Sequence, residues 1–521
     1  MNQAQQRLEC QSRRWTGAVI VASVAAVVRG AVIAAALLGV GPLDHLGEDP
    51  DSYREIAQTL AESGTFGITA EAGPVDPTAF RPPLYPWLLS WGVADGQLGN
   101  AAVGLLHWVV GVLTCLGVYA TLRRIQATPC RSETGTAAEK DSRPGERLAI
   151  AAGCLTAIDP LLLMQSTLVM TETLAAGLAV AAWWAATKDW AAREESQVRN
   201  YPPPGRAGLS GPGRTTTTIG TQHAEPQKPL PARPSRPSQG EDDAADFRRS
   251  SRAWGWPLVV GVFLAAGYLC RPVFAVWIVL WVGWLGVSCL GKAHRRWAAR
   301  QAIAILAVFA VTAAGWMARN YQTIGKAVWA TTHGGYTLLL GNNPYFYDYL
   351  DSRSFVEAAF WGEAWDAEPF HREWAARLEQ LSAASGGEDS ELAADRLASE
   401  WAKQEIRRQP AMFLYASLVR VGRLWSPVPR VGGRVGLASW ATGAFYGVLG
   451  IGVIAGLWRL RRQLFDPAWA PPLLLIVAVT VVHAVYWSNL RMRAPVIPMV
   501  AAIAVVGFSK TPLHIRNSRR C

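Results

Sequence analysis

The feature that most limits the fold of this chain is a series of apolar runs. Most are about 18–24 residues long, enough to cross a hydrocarbon core of about 30 Å. They fall near 16–40, 98–122, 148–165, 169–187, 256–271, 273–290, 301–318, 437–458, 471–488 and 494–509. The composition agrees: 50% of residues are hydrophobic, 24 are Trp, and only 17% are charged, against about 25% in a typical soluble domain. The expected fold class is an all-α polytopic membrane protein with about ten transmembrane helices and both termini in the cytoplasm. Runs of this length argue against a large soluble helical protein.

The formal charge of +11 would suit nucleic acid if it stood alone. Its distribution points elsewhere. Arg13-Arg14, Arg123-Arg124, Lys292 to Arg300, Arg459 to Arg462 and Arg516 to Arg520 sit beside apolar runs, as cytoplasmic anchors do. The partners expected are therefore membrane lipids and not nucleic acid. The first run is longer than a secretory h-region and reads as an uncleaved span. No pair of the seven cysteines has metal-ligand spacing, and no disulfide framework is visible.

Polar stretches divide the chain. Residues 1–187 form an N-terminal membrane half whose first external loop is 41–83, and 254–318 hold further membrane helices. Residues 188–253 contain YPPPG, GPGRTTTT and KPLPARPSRPSQG, too little apolar surface to fold, and read as a disordered cytoplasmic linker. Residues 319–409 are rich in acids and aromatics and read as a small, helical extracytoplasmic insertion. In 410–521, the segment 411–425 carries Arg420 and Arg423, which favours a helix lying in the interface before the last spans.

Four polar features fall on one side of the membrane under this topology. The first loop holds Asp49 and Asp51 ahead of SYREIAQTLAESG, an amphipathic helix that Gly64 ends. The acids either favour the helix N-terminus or include a general base. FRPPLYP fixes Arg81 with two prolines and places Tyr85 nearby; an arginine held so suits phosphate or carboxylate, or snorkels at a turn. Asp159-Pro160 ends the third run and Glu172 opens the fourth, where an acid needs a partner or a function. Arg271, Arg319, Arg491 and Arg493 lie at outer ends, against the positive-inside tendency, and together suggest an anion site at lipid-phosphate depth. Arg29, inside the first run, faces the bundle interior. The segment THGGYTLLLGNNPYFYD (Thr332–Asp348), with His333 and Asn342, reads as a substrate-lining loop with turn-forming Gly and Asn, and not as a phosphate-binding loop, since no GK[ST] follows its glycines.

Together these features resemble the polytopic glycosyltransferases with polyprenyl-phosphate sugar donors: the protein O-mannosyltransferase family (family 39) and the aminoarabinose transferases, which share the GT-C fold. Asp49, ahead of Tyr53, falls on the first acid of that family's first-loop motif; Pro50 stands where the second acid would be. Arg81-Pro82 matches its Lys-Pro, Glu172 its fourth-span acid, and ARNY, GGYTLLLGNNP and RMRAPVIP look like elements of the bacterial branch. The resemblance implies an inverting sugar transfer in the cell (inner) membrane, on the extracytoplasmic face. The donor would be a polyprenyl-phosphate-linked sugar; the acceptor is left open among glycan, lipid and protein. Asp49, with Asp51 and Glu172, would supply the carboxylates. Tyr53, Arg81, Tyr85, Arg271, Arg319, His333, Asn342, Arg491 and Arg493 would bind substrate. No cofactor is implied with certainty, and a divalent cation stays open. The alternatives are a transporter or flippase of lipid-linked glycans, whose half-repeats are not visible here, and a glycan polymerase or ligase using a diphosphate-linked donor.

Overall fold

In the computed structural model, residues 3–40, 45–69, 75–126, 143–200, 239–291, 294–361, 363–385, 390–429 and 436–509 are described. The first apolar run has neither Pro nor an acid to interrupt it and forms most of α1 (Gln3–Leu37). The first loop holds α2 (Tyr53–Ser63), strands β1 (Gly67–Thr69) and β2 (Val75–Pro77), and α3 (Leu84–Ser90). The strands pair antiparallel, Gly67 opposite Pro77. A second hairpin, β3 (Val93–Ala94) and β4 (Gln97–Leu98), leads into α4 (Asn100–Gln126). The third run is split into α5 (Arg143–Ala157) and α6 (Pro160–Gln165). Pro160 has no N–H with which to continue α5, and the Asp159 carboxylate instead accepts the Leu162 N–H at 3.0 Å to start α6.

Then come α7 (Glu172–Asn200), α8 (Gln239–Cys270), α9 (Val273–Ser288) and α10 (Arg295–Ile324). The insertion folds as α11 (Gly334–Gly341), α12 (Pro344–Asp351), α13 (Glu368–Ser385) and α14 (Ser390–Arg408). Last are α15 (Pro410–Leu424), α16 (Leu437–Leu460), α17 (Ala470–Val485) and α18 (Ile497–Phe508), the last entered through a 3-10 turn at Leu490–Val496. Each expected span meets a helix. Among the described residues, five helices are long and apolar enough to cross a membrane, and three more are shorter apolar helices. In the bundle α4 packs on α1, α5 and α7; α8 on α7 and α10; α9 on α17; and α16 on α18.

Three segments differ from the sequence reading. The expected linker 188–253 is helical on both flanks, where neither WAAREESQVRN nor 240–253 contains a proline; residues 201–238 lie outside the described residues. THGGYTLLLGNNP forms helix and not loop. Its YTLLL run continues α11, and the Asn343 side chain accepts the Phe346 N–H at 2.8 Å to cap α12. Arg420 and Arg423, the reason to expect α15 in the interface, are both buried in the protein. Arg420 gathers the open carbonyls of Ala484 (2.9 Å) and Gly341, groups that the ends of α17 and α11 leave without intrahelical partners.

Helices α16 and α18 meet through glycine. A Cβ on Gly507 would lie 2.0 Å from the Gly452 carbonyl, and one on Gly456 would lie 2.1 Å from that of Ile503. Small residues spaced four apart, as Gly452 and Gly456 are, let two backbones touch where no hydrophobic force drives association. Gly507→Val should therefore destabilise the bundle by about 1–3 kcal/mol, read as a lower melting temperature in detergent. An unchanged melting temperature would mean that α16 and α18 do not pack this closely.

Candidate active site

The site begins where α1 leaves the bundle. Ser52 stands in the left-handed region (φ 57°) directly before α2 and gives it no side-chain cap. A non-glycine residue rarely holds that conformation. Asp49 does the capping instead: Oδ2 accepts the N–H of Arg54 at 2.9 Å and of Glu55 at 3.2 Å. Its second oxygen, Oδ1, is buried and makes no hydrogen bond. Burial, opposed by those backbone N–H groups, holds the Asp49 carboxyl above its usual range. One oxygen of Asp49 therefore caps α2, as one sequence reading expects, and the other is unengaged.

The chain's turn at Ser52 carries Asp51 elsewhere. Its carboxylate pairs with Arg81 at 2.7 Å and approaches Arg491 at 3.8 Å. Glu172, the first residue of α7 and 2% exposed, pairs with Arg271 at 3.0 Å and lies 3.7 Å from Arg491. Its Oε2 is buried without a hydrogen-bond partner. Arg271 also reaches Met492 Sδ at 3.1 Å. Thus Arg81, Asp51, Arg491, Glu172 and Arg271 form one continuous ionic chain. It joins the first loop, the start of α7, the α8–α9 corner and the turn before α18. Three guanidiniums face two carboxylates, so the chain as a unit carries an excess positive charge. Arginine's planar fork suits phosphate oxygens.

Aromatic rings fix one end of this chain. The Arg81 guanidinium lies 4.3 Å from the Phe80 ring centroid and 5.6 Å from that of Tyr53. Tyr53 meets Tyr85 edge-on at 5.2 Å. The Tyr85 hydroxyl bonds His107 Nε2 at 2.8 Å, and His107 Nδ1 lies 3.0 Å from the Ser166 carbonyl. That carbonyl only accepts, so Nδ1 carries the proton and Tyr85 donates to Nε2. Arg29 reaches the same residue, donating to Ser166 Oγ at 2.9 Å, which places it inside the bundle as expected.

Other nominated residues lie outside the ionic chain. Arg319 donates to the Thr78 (2.7 Å) and Phe66 (2.6 Å) carbonyls and so fastens the β1–β2 hairpin to α10. Arg493 is buried beneath Tyr446 and donates to the Leu424 (3.2 Å) and Ser426 (2.8 Å) carbonyls. Asn342 donates to the Val485 carbonyl at 3.0 Å and accepts from Tyr347 and Arg420. His333 packs edge-on against Phe80 at 4.6 Å; burial, with Arg81 nearby, pushes its imidazole down to about 3, so it is neutral there at pH 7.

Sequence reasoning passed over Glu391, which opens α14. Its carboxylate accepts from Thr78 Oγ1 at 2.6 Å, the Ala79 N–H at 3.2 Å and the Thr332 hydroxyl. The Thr332 N–H donates in turn to the Ala79 carbonyl at 3.1 Å. The insertion thereby grips the loop directly ahead of Arg81. A glutamate among other acids on a polar helix gave no sign of this in the sequence. Among the described residues, no group of three or more His, Cys, Asp or Glu is placed to hold a metal ion.

No protein-family model matches the sequence, and no curated protein matches it. Among solved structures, the chain is similar to the apo oligosaccharyltransferase of Archaeoglobus fulgidus, with TM-score 0.44 and 15% identity over 94% of this chain and 50% of that one. It is also similar to AglB of the same organism in complex with an inhibitory peptide and a dolichol-phosphate (TM-score 0.45, 14% identity, 95% and 50%). A third likeness is to ArnT of Cupriavidus metallidurans bound to undecaprenyl phosphate (TM-score 0.35, 13% identity, 94% and 76%). The chain spans about half the length of the archaeal chains it matches.

Proposed function

We propose that the chain is a membrane glycosyltransferase. It moves a sugar from a polyprenyl-phosphate donor to an acceptor hydroxyl on the extracytoplasmic face of the cell membrane, with inversion at the anomeric carbon. The observation that carries this reading is the ionic chain at the ends of apolar helices, where Arg81, Arg271 and Arg491 outnumber Asp51 and Glu172. An excess of guanidinium groups beside apolar helix ends suits a lipid phosphate.

The roles follow from the electrostatics. Asp51 and Glu172 are held by arginines and serve to orient them. Asp49 has a buried, unengaged oxygen and a carboxyl raised by burial, which suits it to take the acceptor's proton. The acceptor oxygen attacks the anomeric carbon and loses its proton to Asp49. The bond from that carbon to the phosphate oxygen breaks, and its electron pair leaves with the phosphate. The three guanidiniums stabilise the added charge. A phosphate monoester dianion is a good leaving group, so no general acid is needed.

The test uses the full chain in proteoliposomes, offered sugars on polyprenyl monophosphate and on polyprenyl diphosphate. Transfer from the monophosphate-linked donor is expected. Transfer from the diphosphate-linked donor alone, or movement of the lipid across the bilayer without transfer, would overturn the proposal.

A further inference from the structure

Arg81 stands in a stretch that belongs to neither helix nor strand: β2 ends at Pro77 and α3 begins at Leu84. On its far side the backbone is fixed by its own residues. Pro82 and Pro83 each set their φ, and Pro82 also restricts Arg81 before it. On its near side, Thr78 is held by the hairpin and α10: its N–H donates to the Phe66 carbonyl at 3.1 Å, and its carbonyl accepts from Arg319. Ala79 and Phe80 depend on the insertion. Ala79 is wholly buried. Its N–H donates to Glu391 at 3.2 Å and its carbonyl accepts the Thr332 N–H at 3.1 Å, so the insertion meets both polar groups of its backbone.

The Thr78 hydroxyl carries the restraint one residue further. It donates to Glu391 Oε2 at 2.6 Å and accepts the Phe80 N–H at 2.9 Å. With its proton committed to the carboxylate, the hydroxyl oxygen turns a lone pair to Phe80. The Phe80 ring in turn touches His333 of the insertion at 4.6 Å and the Arg81 guanidinium at 4.3 Å. An acid in the first turn of a helix is ordinary, because it favours the helix dipole. Glu391 does more than that, since its two oxygens serve Thr78, Ala79 and the Thr332 hydroxyl in two other segments. We infer that Glu391 is a positioning residue for Arg81: through Thr78 and Ala79 it holds the backbone that aims the guanidinium at the lipid phosphate. The insertion thereby sets how tightly the membrane site holds its anion. The inference rests on the reading of Arg81 as a ligand of that phosphate.

Equilibrium binding of undecaprenyl phosphate to the full chain in detergent tests it, with neutral undecaprenol as control. Arg81→Ala should weaken binding about thirtyfold, the weight of hydrogen bonds between charged groups. Glu391→Ala, which removes no ligand of the phosphate, should weaken it about tenfold. In the double variant the two losses should not multiply: it should bind within about twofold of Arg81→Ala, because Glu391 acts through that side chain. Glu391→Gln keeps an oxygen for the Ala79 N–H and should bind about as tightly as wild type. Thr78→Val cuts the hydroxyl link with little change of shape, and serves if Glu391→Ala does not fold. It should weaken binding about threefold, and again only where Arg81 is present. If either variant weakens binding by the same factor with and without Arg81, or not at all, the positioning role fails while the phosphate site stands. If wild type binds undecaprenyl phosphate no better than undecaprenol, or Arg81→Ala binds it as wild type does, the reading of Arg81 itself fails.

Discussion

Asp49→Asn is expected to lower sugar transfer by about 10²–10⁴-fold, the usual weight of a general base, while the protein folds as before. The substitution separates the two duties of the residue. Asparagine is as good a helix cap as aspartate, and its carbonyl oxygen can still accept from the Arg54 and Glu55 N–H groups that Oδ2 serves now. What it lacks is a site for the acceptor's proton. The pH profile gives a second readout. Burial holds the Asp49 carboxyl above its ordinary range. The wild-type rate should therefore rise with pH through a value higher than that of a free aspartate, then level off once the carboxylate is ionised. Below that point the base is protonated and transfer stops. The acid limb should be missing from whatever activity the asparagine variant retains. Wild-type rates in Asp49→Asn would remove it from the mechanism and leave it as a cap alone.

The second large effect is on stability. Glu172 is almost wholly buried and touches Arg271 at 3.0 Å and Arg491 at 3.7 Å. Glu172→Leu leaves the half-buried Arg271 guanidinium without its counter-charge, and should cost about 3 kcal/mol. Arg271→Leu strands the carboxylate in the same way. The double variant removes both charges and should be more stable than either single one, because two apolar side chains replace a pair whose desolvation largely offsets its attraction. It should nevertheless be inactive, having lost one of the three guanidiniums. Thermal unfolding and transfer, measured on all four proteins, complete the cycle. If the two single effects simply add in the double variant, the pair is not coupled and the ionic chain is not continuous at that link.

The spans were legible because their length alone specifies helix in a bilayer, and proline placed the breaks at Asp159-Pro160 and Arg271-Pro272. The amphipathic helix after Asp51 and its end at Gly64 were also readable, and that glycine does hold a positive φ of 71°. The candidate site was legible in part. A guanidinium at the outer end of a span signals an unmet charge requirement, but the sequence does not say what meets it. For Arg81, Arg271 and Arg491 the partner is a carboxylate, which leaves the group with charge to spare. For Arg319 and Arg493 it is a set of carbonyls that other segments leave open, and those become visible only once the segments are packed. The same blindness hid Glu391, whose partners are two hydroxyls and an N–H in distant loops. Acids and arginines look alike in sequence whether they bind a ligand or close a gap in the backbone.

That grip has a consequence for biogenesis. Thr78 and Glu391 are 313 residues apart. At synthesis rates of about 5–20 residues per second, roughly 15–60 s separate their emergence from the ribosome. Throughout that interval the first loop is already delivered but lacks the clasp that Glu391 supplies. The first loop therefore gains this clasp, directly ahead of Arg81, only when the second half of the chain arrives.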